Sequence, residues 1–473
     1  MRLARRRVRY PGGVRLPGRR GQARWGYHHA TVAAEIDQRR PRPDEPGRDR
    51  GGIDHPGDHP RRGADRAARR SLGRTSGRRA ARLRWRGARW SSGHRGRVRE
   101  VTSPAPSGNG RPAFEWVESS PLTNTLRLPA SAERLLRLND LSEATLATPV
   151  VADWLADAAT RVVAGGSNVV FATPIIAQAV SVAADDWTAS AAGDGRIDLS
   201  VEAGKGVDAL VRETTARGWF GIEALAEIPG TVGAAPMQNV GAYGTEISDV
   251  TRWVEAWDRR ERRIRRFDPD ACDFSYRSSR FKREAGRWLI LRVGLRLSTQ
   301  APADWPPVDY PGVEEAVDRW SRRTGREREA ISPAEYAEVI TAIRRAKLPD
   351  WREGWPGSAG SFFHNPIVSE QEARRLARRW PAMPHFPVAD GVKIPAGWLI
   401  ETAGMKGHRE GPVAVSARHA LVLEHHGGAT GAEFLAFAES VRRRVGEVTG
   451  IELAIEPERV NPAIDRVNEN STH

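Results

Sequence analysis

IPGTVGAAPMQNVGAYG, residues 228–244, is too rich in small residues to build a core and too apolar to be a plain surface loop. Gly230, Gly233, Gly241 and Gly244, with two prolines and three alanines, leave little side chain to pack, whereas Ile228, Val232, Met237 and Val240 call for burial. A backbone laid close against a flat ligand reconciles the two. Small residues such as Ala234 permit the approach, and exposed peptide groups with the amides of Gln238 and Asn239 can address ring nitrogens and carbonyls. The stretch reads as a ligand wall, and its neighbours decide which fold carries it.

Upstream, VADWLADAATRVVAGGSNVVF (151–171) reads as helix, strand, glycine turn and strand. Its AGGSN places Gly165, Gly166, Ser167 and Asn168 directly after a β-branched run, where consecutive N–H groups can converge into a nest for phosphate oxygens. Taken alone the segment is better read as a plain turn. It has neither the spacing of a dinucleotide fingerprint nor the lysine of a P-loop. Residues 162–184 carry no charge, but Gly165, Gly166, Asn168 and Pro174 interrupt them, which favours buried strand over a membrane span.

Working outward, SAERLLRLND (131–140) predicts a short helix, 197–203 a strand and 206–221 a helix. ISDVTRWVEAWD (247–258), RRIRRF (262–267) and WLILRVGLRL (288–297) predict antiparallel strands. Ser332 with Pro333 and Glu335, Ser369 with Glu372, and Thr430 with Glu433 each mark a capped helix start. The last helix carries the stripe Phe434, Phe437, Val441, Val445 and Val448, stops at Gly450, and gives way to a strand at Ile451–Ile455. Strands and helices alternate too irregularly for a barrel of repeated units, so the class is α+β.

The net charge of +15 over 473 residues is misleading. Residues 1–110 hold 29 arginines, no lysine and 9 acidic residues, a surplus of +20, which leaves 111–473 at −5. This leader lacks apolar periodicity and reads as disordered. It could contact phosphates nonspecifically or reflect a start codon annotated upstream of the true one; it offers no specific nucleic-acid site. Cys272 is the single cysteine, so no intrachain disulfide can form, which fits a reducing compartment. No Cys/His spacing points to a metal, and His425–His426 read as solvated turn residues.

Two short segments carry candidate chemistry. In SYRSSRFK (275–282), an extended backbone would send Tyr276, Ser278 and Arg280 one way and Arg277, Ser279 and Phe281 the other. An arginine in a pocket would clamp a carboxylate, while a solvated arginine is the plainer reading. In GSAGSFFHNP (357–366), Ser361 follows tiny residues and precedes two phenylalanines, and it lacks the strained elbow of one large hydrolase class.

NTLRLP, AGGSNVV, IPGTVGAAPMQNVGAYG, YRSSRFK, RRAKLPD, GSAGSFFHNP, PAGWLIETAGMKG and GIELAIEPE resemble, in this order, the UDP-N-acetylenolpyruvoylglucosamine reductase (UDP-N-acetylmuramate dehydrogenase) family, from about residue 115 to 460. The resemblance implies a two-lobed FAD-binding region of the vanillyl-alcohol oxidase type and a C-terminal α+β substrate domain. The expected boundaries are a leader at 1–110, lobe 1 at 111–185 completed by 451–465, lobe 2 at 186–345 and the substrate domain at 346–450. It implies noncovalent FAD held by Ala164, Gly165, Gly166, Ser167, Asn168, Pro229, Gly230, Gly233, Ala234, Gln238, Asn239, Gly241, Tyr243 and Gly244. No His or Cys there offers a tether.

It further implies a catalytic set of Ser361, Arg277 and Glu456, with Tyr276, Lys347 and Asn365 holding substrate. NADPH would donate hydride and UDP-N-acetylglucosamine enolpyruvate would accept it, in a cytoplasmic monomer without membrane insertion. Phe362 and Phe363 would lock the serine loop. A flavin oxidase or dehydrogenase of the same fold acting on another small substrate is the alternative. The chain departs from the family pattern at Ala164 for glycine, Ser278 for aspartate, Trp351 for proline, Ser358 for asparagine and His364 for lysine.

Overall fold

The computed structural model describes residues 111–310, 312–352 and 354–460. The Arg-rich leader and residues 461–465, expected to finish the first lobe, lie outside them.

A first sheet orders Phe114–Pro121, Ser131–Leu138, Ile175–Val182 and Thr160–Val162. Its outer pair is antiparallel and its other pairings are parallel. The expected helix at 131–140 is instead the strand Ser131–Leu138. Leu135 faces Phe171, Ile176 and Ala179 on one side of the sheet, while Leu136 and Leu138 face Phe114, Trp116 and Val180 on the other. Apolar residues on both faces mimic a helical stripe in the sequence, and ladder bonds on both edges override the helix preference of Ala, Glu, Arg and Leu. The uncharged 162–184 stretch is divided among three strands, and among the described residues no helix is long and apolar enough to cross a membrane.

A second, five-stranded antiparallel sheet orders Arg263–Phe267, Thr251–Asp258, Trp288–Ser298, Arg196–Glu202 and Trp187–Ala191. The helices Val207–Thr215, Val313–Thr324 and Pro333–Lys347 pack on it through one large core that includes Val211, Val293, Val317, Tyr336 and Ile340. Trp257, Leu289 and Leu291 of this sheet enter the core of the first, so the two sheets share an interior. The helix expected at 206–221 ends at Thr215. At Pro333–Lys347 the predicted box closes both ways, with Ser332 Oγ accepting from Glu335 N and Glu335 accepting from Ser332 N. At Glu370–Arg379 the bond from Glu372 N to Ser369 forms, but the Glu372 carboxylate turns to Arg375.

The C-terminal region packs the helices Glu370–Arg379, Ala396–Thr402 and Gly431–Thr449 and two small sheets around Phe362, Phe363, Phe434 and Leu453. Leu126, Leu128 and Val170 belong to the same core. The chain then returns to the first sheet's side, where Glu458–Val460 runs parallel to Val169–Phe171. Sequence reading placed that returning strand at Ile451–Ile455. Those residues instead lie beside the serine loop, with His364 N donating to Ala454 O at 2.9 Å and Glu456 N to Phe362 O at 3.0 Å. Their apolar Ile451 and Leu453 are consumed by the core under the last helix.

His425, expected to be solvated, is 1% exposed. Ala429 N donates to its Nε2 at 3.0 Å, so the ring proton sits on Nδ1, which donates to Leu126 O at 2.9 Å. Burial, then the charge of His426, holds its pKa below the ordinary 6.5, opposed by the Leu126 bond. The folded state therefore refuses a proton that the unfolded chain accepts, and stability present above pH 6.5 falls as pH drops below it. Replacing His425 with Asn is expected to cost about 2 kcal/mol at neutral pH. The same variant should remove up to about 1.4 kcal/mol per pH unit from the acid slope. Urea midpoints measured from pH 8 to 5 check both.

Candidate active site

The two glycine turns meet edge to edge. A Cβ on Gly165 would stand 2.8 Å from Gly230 Cα, and one on Gly166, whose φ is +60°, would stand 2.1 Å from Thr123 O. The absence of side chains thus lets backbone pass backbone, with Asn168 Nδ2 donating to Gln238 Oε1 across the seam. Ser167, Asn168, Pro229, Gln238, Gly241 and Tyr243 face a cleft of about 270 Å³. Asn239 turns inward, where its amide binds Glu246 and accepts from Ser248 N. Ala164, Gly165, Gly166, Gly230, Gly233, Ala234 and Gly244 do not line the cleft and shape the turns instead.

SYRSSRFK is a turn rather than an extended strand. Ser275 and Ser278 exchange both backbone bonds, at 3.0 and 3.1 Å, and Arg277 takes a left-handed φ of +53° at the corner. The expected alternation therefore does not apply through Tyr276 and Arg277. Two contacts hold the corner. Arg277 NH2 donates to Gly241 O at 2.9 Å, and Lys282 Nζ donates to Arg277 O at 3.0 Å. Arg277 Nε then stands 3.4 Å from Glu456 Oε1. Tyr276 remains largely exposed, within cation–π range of Arg277 and Lys393.

Glu456 and Ser361 arrive on adjacent segments. Phe362 and Phe363 are fully buried and pack edge-on against each other, and Phe362 packs similarly against Phe434. These contacts anchor the loop on which Ser361 is exposed to the cleft. Behind it, Ser358 N donates to Thr125 O, and Gly357 exchanges bonds with His425. Burial raises the Glu456 pKa, opposed by the charges of Arg277 and Lys282. A carboxyl that stays protonated inside a cleft beside a guanidinium can donate to, and stabilise, a developing anion.

Ser361, Arg277, Glu456, Lys347 and Tyr243 all face this one cleft, although they come from five distant places in the chain. Asn365 does not line it: its Oδ1 accepts from Ala396 N at 2.8 Å and starts the helix Ala396–Thr402. Sequence reading missed Glu227, Arg344, Arg345, Tyr310 and His419, which also line the cleft. Glu227 is 5% exposed and is bound by Arg345 and by Arg352, which reaches Asp208 as well. The available signal was the two acids, Glu223 and Glu227, inside the apolar run 222–228, since a carboxyl buried there needs a hydrogen-bonding or cationic partner.

Residues 351–460 match the C-terminal domain of UDP-N-acetylenolpyruvoylglucosamine reductase, and residues 149–266 match an FAD binding domain. The UDP-N-acetylenolpyruvoylglucosamine reductase of Pseudomonas aeruginosa is 43% identical over 299 residues, 63% of this chain and 84% of that protein. The chain belongs to this family. The reductase of Azoarcus sp. is 41% identical over 343 residues, 71% of this chain and 94% of its own length. A solved UDP-N-acetylenolpyruvylglucosamine reductase, from Thermus caldophilus, aligns with a TM-score of 0.47 and 22% identity over 74% of this chain and 99% of that one.

As a member of the UDP-N-acetylenolpyruvoylglucosamine reductase family, the chain is an FAD-dependent oxidoreductase. The cleft suits that cofactor. Its wall offers the Gly241 backbone, the Ser167 hydroxyl, the Asn168 and Gln238 amides and the Tyr243 ring, groups suited to a flat, hydrogen-bonding ring system.

Proposed function

We infer that this reductase converts UDP-N-acetylglucosamine enolpyruvate to UDP-N-acetylmuramate, a step of peptidoglycan precursor synthesis, with NADPH as the source of hydride. The observation that carries the reading is the pairing of Arg277 and Glu456 in a cleft that Ser361 also faces. The segments 111–185 with the returning strand Glu458–Val460, and 186–345, form the two FAD-binding lobes in this reading, and 346–450 the substrate domain. The enzyme works as a monomer in the cytoplasm, the compartment that holds both NADPH and nucleotide sugars; sedimentation of the purified chain tests the first point.

Ser167, Asn168, Gln238 and Tyr243 would hold FAD, which when bound would supply the redox chemistry that links NADPH oxidation to reduction of the enolpyruvyl group. The protein supplies the rest. Negative charge develops at C2 and spreads into the substrate carboxylate. Arg277 pairs with that carboxylate, and protonated Glu456 donates a hydrogen bond to it. Ser361 gives its hydroxyl proton to C2. Serine is a weak acid, but a carbanion at C2 is basic enough to take the proton, so no histidine partner is required. Lys347, Tyr276 and Asn365 help to hold substrate. For Asn365 this role runs through the helix start that it fixes.

The purified chain should bleach near about 450 nm with NADPH and regain its colour, without oxygen, when the enolpyruvyl nucleotide is added. A flavin that stays bleached until oxygen enters would overturn the assignment in favour of an oxidase.

A further inference from the structure

Arg352 does not line the cleft, yet it ties together the two segments that face each other across it. Its NH1 donates to Glu227 Oε2 at 2.5 Å and its NH2 to Asp208 Oδ2 at 2.7 Å. Both acids are 5% exposed. Glu227 Oε1 accepts from Arg345 at 2.6 and 3.0 Å, Asp208 Oδ1 accepts from Glu227 N at 2.8 Å, and Asp208 Oδ2 also pairs with Arg212. All four carboxylate oxygens are thus engaged, which is what a buried charge network needs to hold one geometry.

The network grips both walls. On one side Glu227, at a left-handed φ of +63°, leads directly into Ile228 and Pro229 of the flavin wall. On the other, Arg345 and Arg352 flank Lys347–Trp351, all five of which line the cleft. Lys347 ends the helix Pro333–Lys347, and Leu348 is already extended. The family pattern has proline at position 351, where its ring would fix the backbone. Trp351 provides no such restraint. Its indole Nε1 donates instead to Glu227 O at 3.2 Å, and its carbonyl accepts from Arg127 NH2 at 3.4 Å.

We propose that Arg352 is a positioning residue which, by binding Glu227 and Asp208 at once, fixes the 347–351 wall at its distance from the flavin wall and so sets Lys347 for the nucleotide substrate. This rests on the substrate-holding role given above to Lys347. The planar fork of a guanidinium reaches both acids together, whereas an ammonium in its place keeps the charge without the span.

The test uses the full-length, flavin-loaded enzyme. The enolpyruvyl nucleotide is titrated into oxidised parent, Arg352→Gln, Arg352→Lys, Lys347→Met and the Arg352→Gln/Lys347→Met double variant, and the change in flavin absorbance gives Kd. The return of colour after NADPH reduction is timed at saturating nucleotide. Both Arg352 variants should bind about 10–100-fold more weakly, the effect of one charged contact, and regain colour at the parental rate once saturated, because bound nucleotide draws the walls back and affinity falls instead. Lys347→Met should weaken binding over the same range, and the double variant should stay within about twofold of it.

Parental Kd in the Arg352 variants overturns the proposal, as does an Arg352→Lys enzyme that binds like the parent while Arg352→Gln does not. A double variant whose loss is the product of the two single losses overturns it as well, since Arg352 then does not act through Lys347. Parental binding by Lys347→Met removes Lys347 from the reading above and the proposal with it, whereas a parent enzyme that neither binds the nucleotide nor regains colour with it overturns the proposed function itself. Arg352→Lys leaves a cation between the two acids, so poor folding of Arg352→Gln does not cost the measurement.

Discussion

A Ser361→Ala enzyme bleaches with NADPH at the parental rate and then fails to regain its colour when the enolpyruvyl nucleotide is added, slowed by about 10²–10⁴-fold, the usual contribution of one positioned proton donor. The loss is confined to the second half of the cycle because the hydroxyl acts only on the carbanion at C2. The fold predicts little structural damage. The residue is exposed, and the loop is held by the buried Phe362 and Phe363 and by the backbone bond from Phe362 N to Leu421 O. Stopped-flow traces of the two halves, recorded separately, check this. Parental recovery would show that another group protonates C2.

Gly166→Ala has the other large effect, on cofactor retention. Its φ of +60° is unfavourable for any side chain, and the new methyl would enter 2.1 Å from Thr123 O and 2.8 Å from Asn124 Cα. Neither contact is the end of a flexible side chain, so the AGGSN turn must move away from NTLRLP. Ser167 and Asn168 leave the cleft wall with it. The variant should purify with little or no FAD and lose about 3 kcal/mol of stability. Gly193→Ala is the control, since its φ is +77° but nothing lies within 4 Å of the added methyl. It should cost only about 1 kcal/mol and keep a full complement of flavin. Absorbance ratios and urea unfolding of both variants distinguish backbone strain from displacement of the turn. Equal flavin content in the two would refute the placement of this turn at the cofactor.

Much of this was legible in the sequence, for identifiable reasons. Caps speak locally: Ser332 with Glu335 and Thr430 with Glu433 close the boxes that their spacing foretells. The glycine-rich wall declared itself because a run of small residues threaded with Val and Met has few other uses. The tight turn at 275–278 and the strand at 131–138 were misread. For the strand, pairing partners on both neighbouring strands outweighed the pattern within it, whereas the turn is closed by its own Ser275–Ser278 bonds with Arg277 drawn onto Gly241 O. His425 was misjudged for the same reason, since its two partners, Leu126 O and Ala429 N, are defined only by the folded core.

The sequence alone determined the chemical inventory. It supplied a serine without a histidine partner, an arginine and a glutamate in family motifs, two glycine turns and no metal-ligand spacing, because motif chemistry is short-range and survives as text. Only the tertiary structure decided that Arg277 turns from its left-handed corner onto both Gly241 O and Glu456. It also decided that Glu456 lies deep enough to favour its proton. Protonation states follow from burial and from charges brought close by distant segments, and neither is defined until the chain has folded.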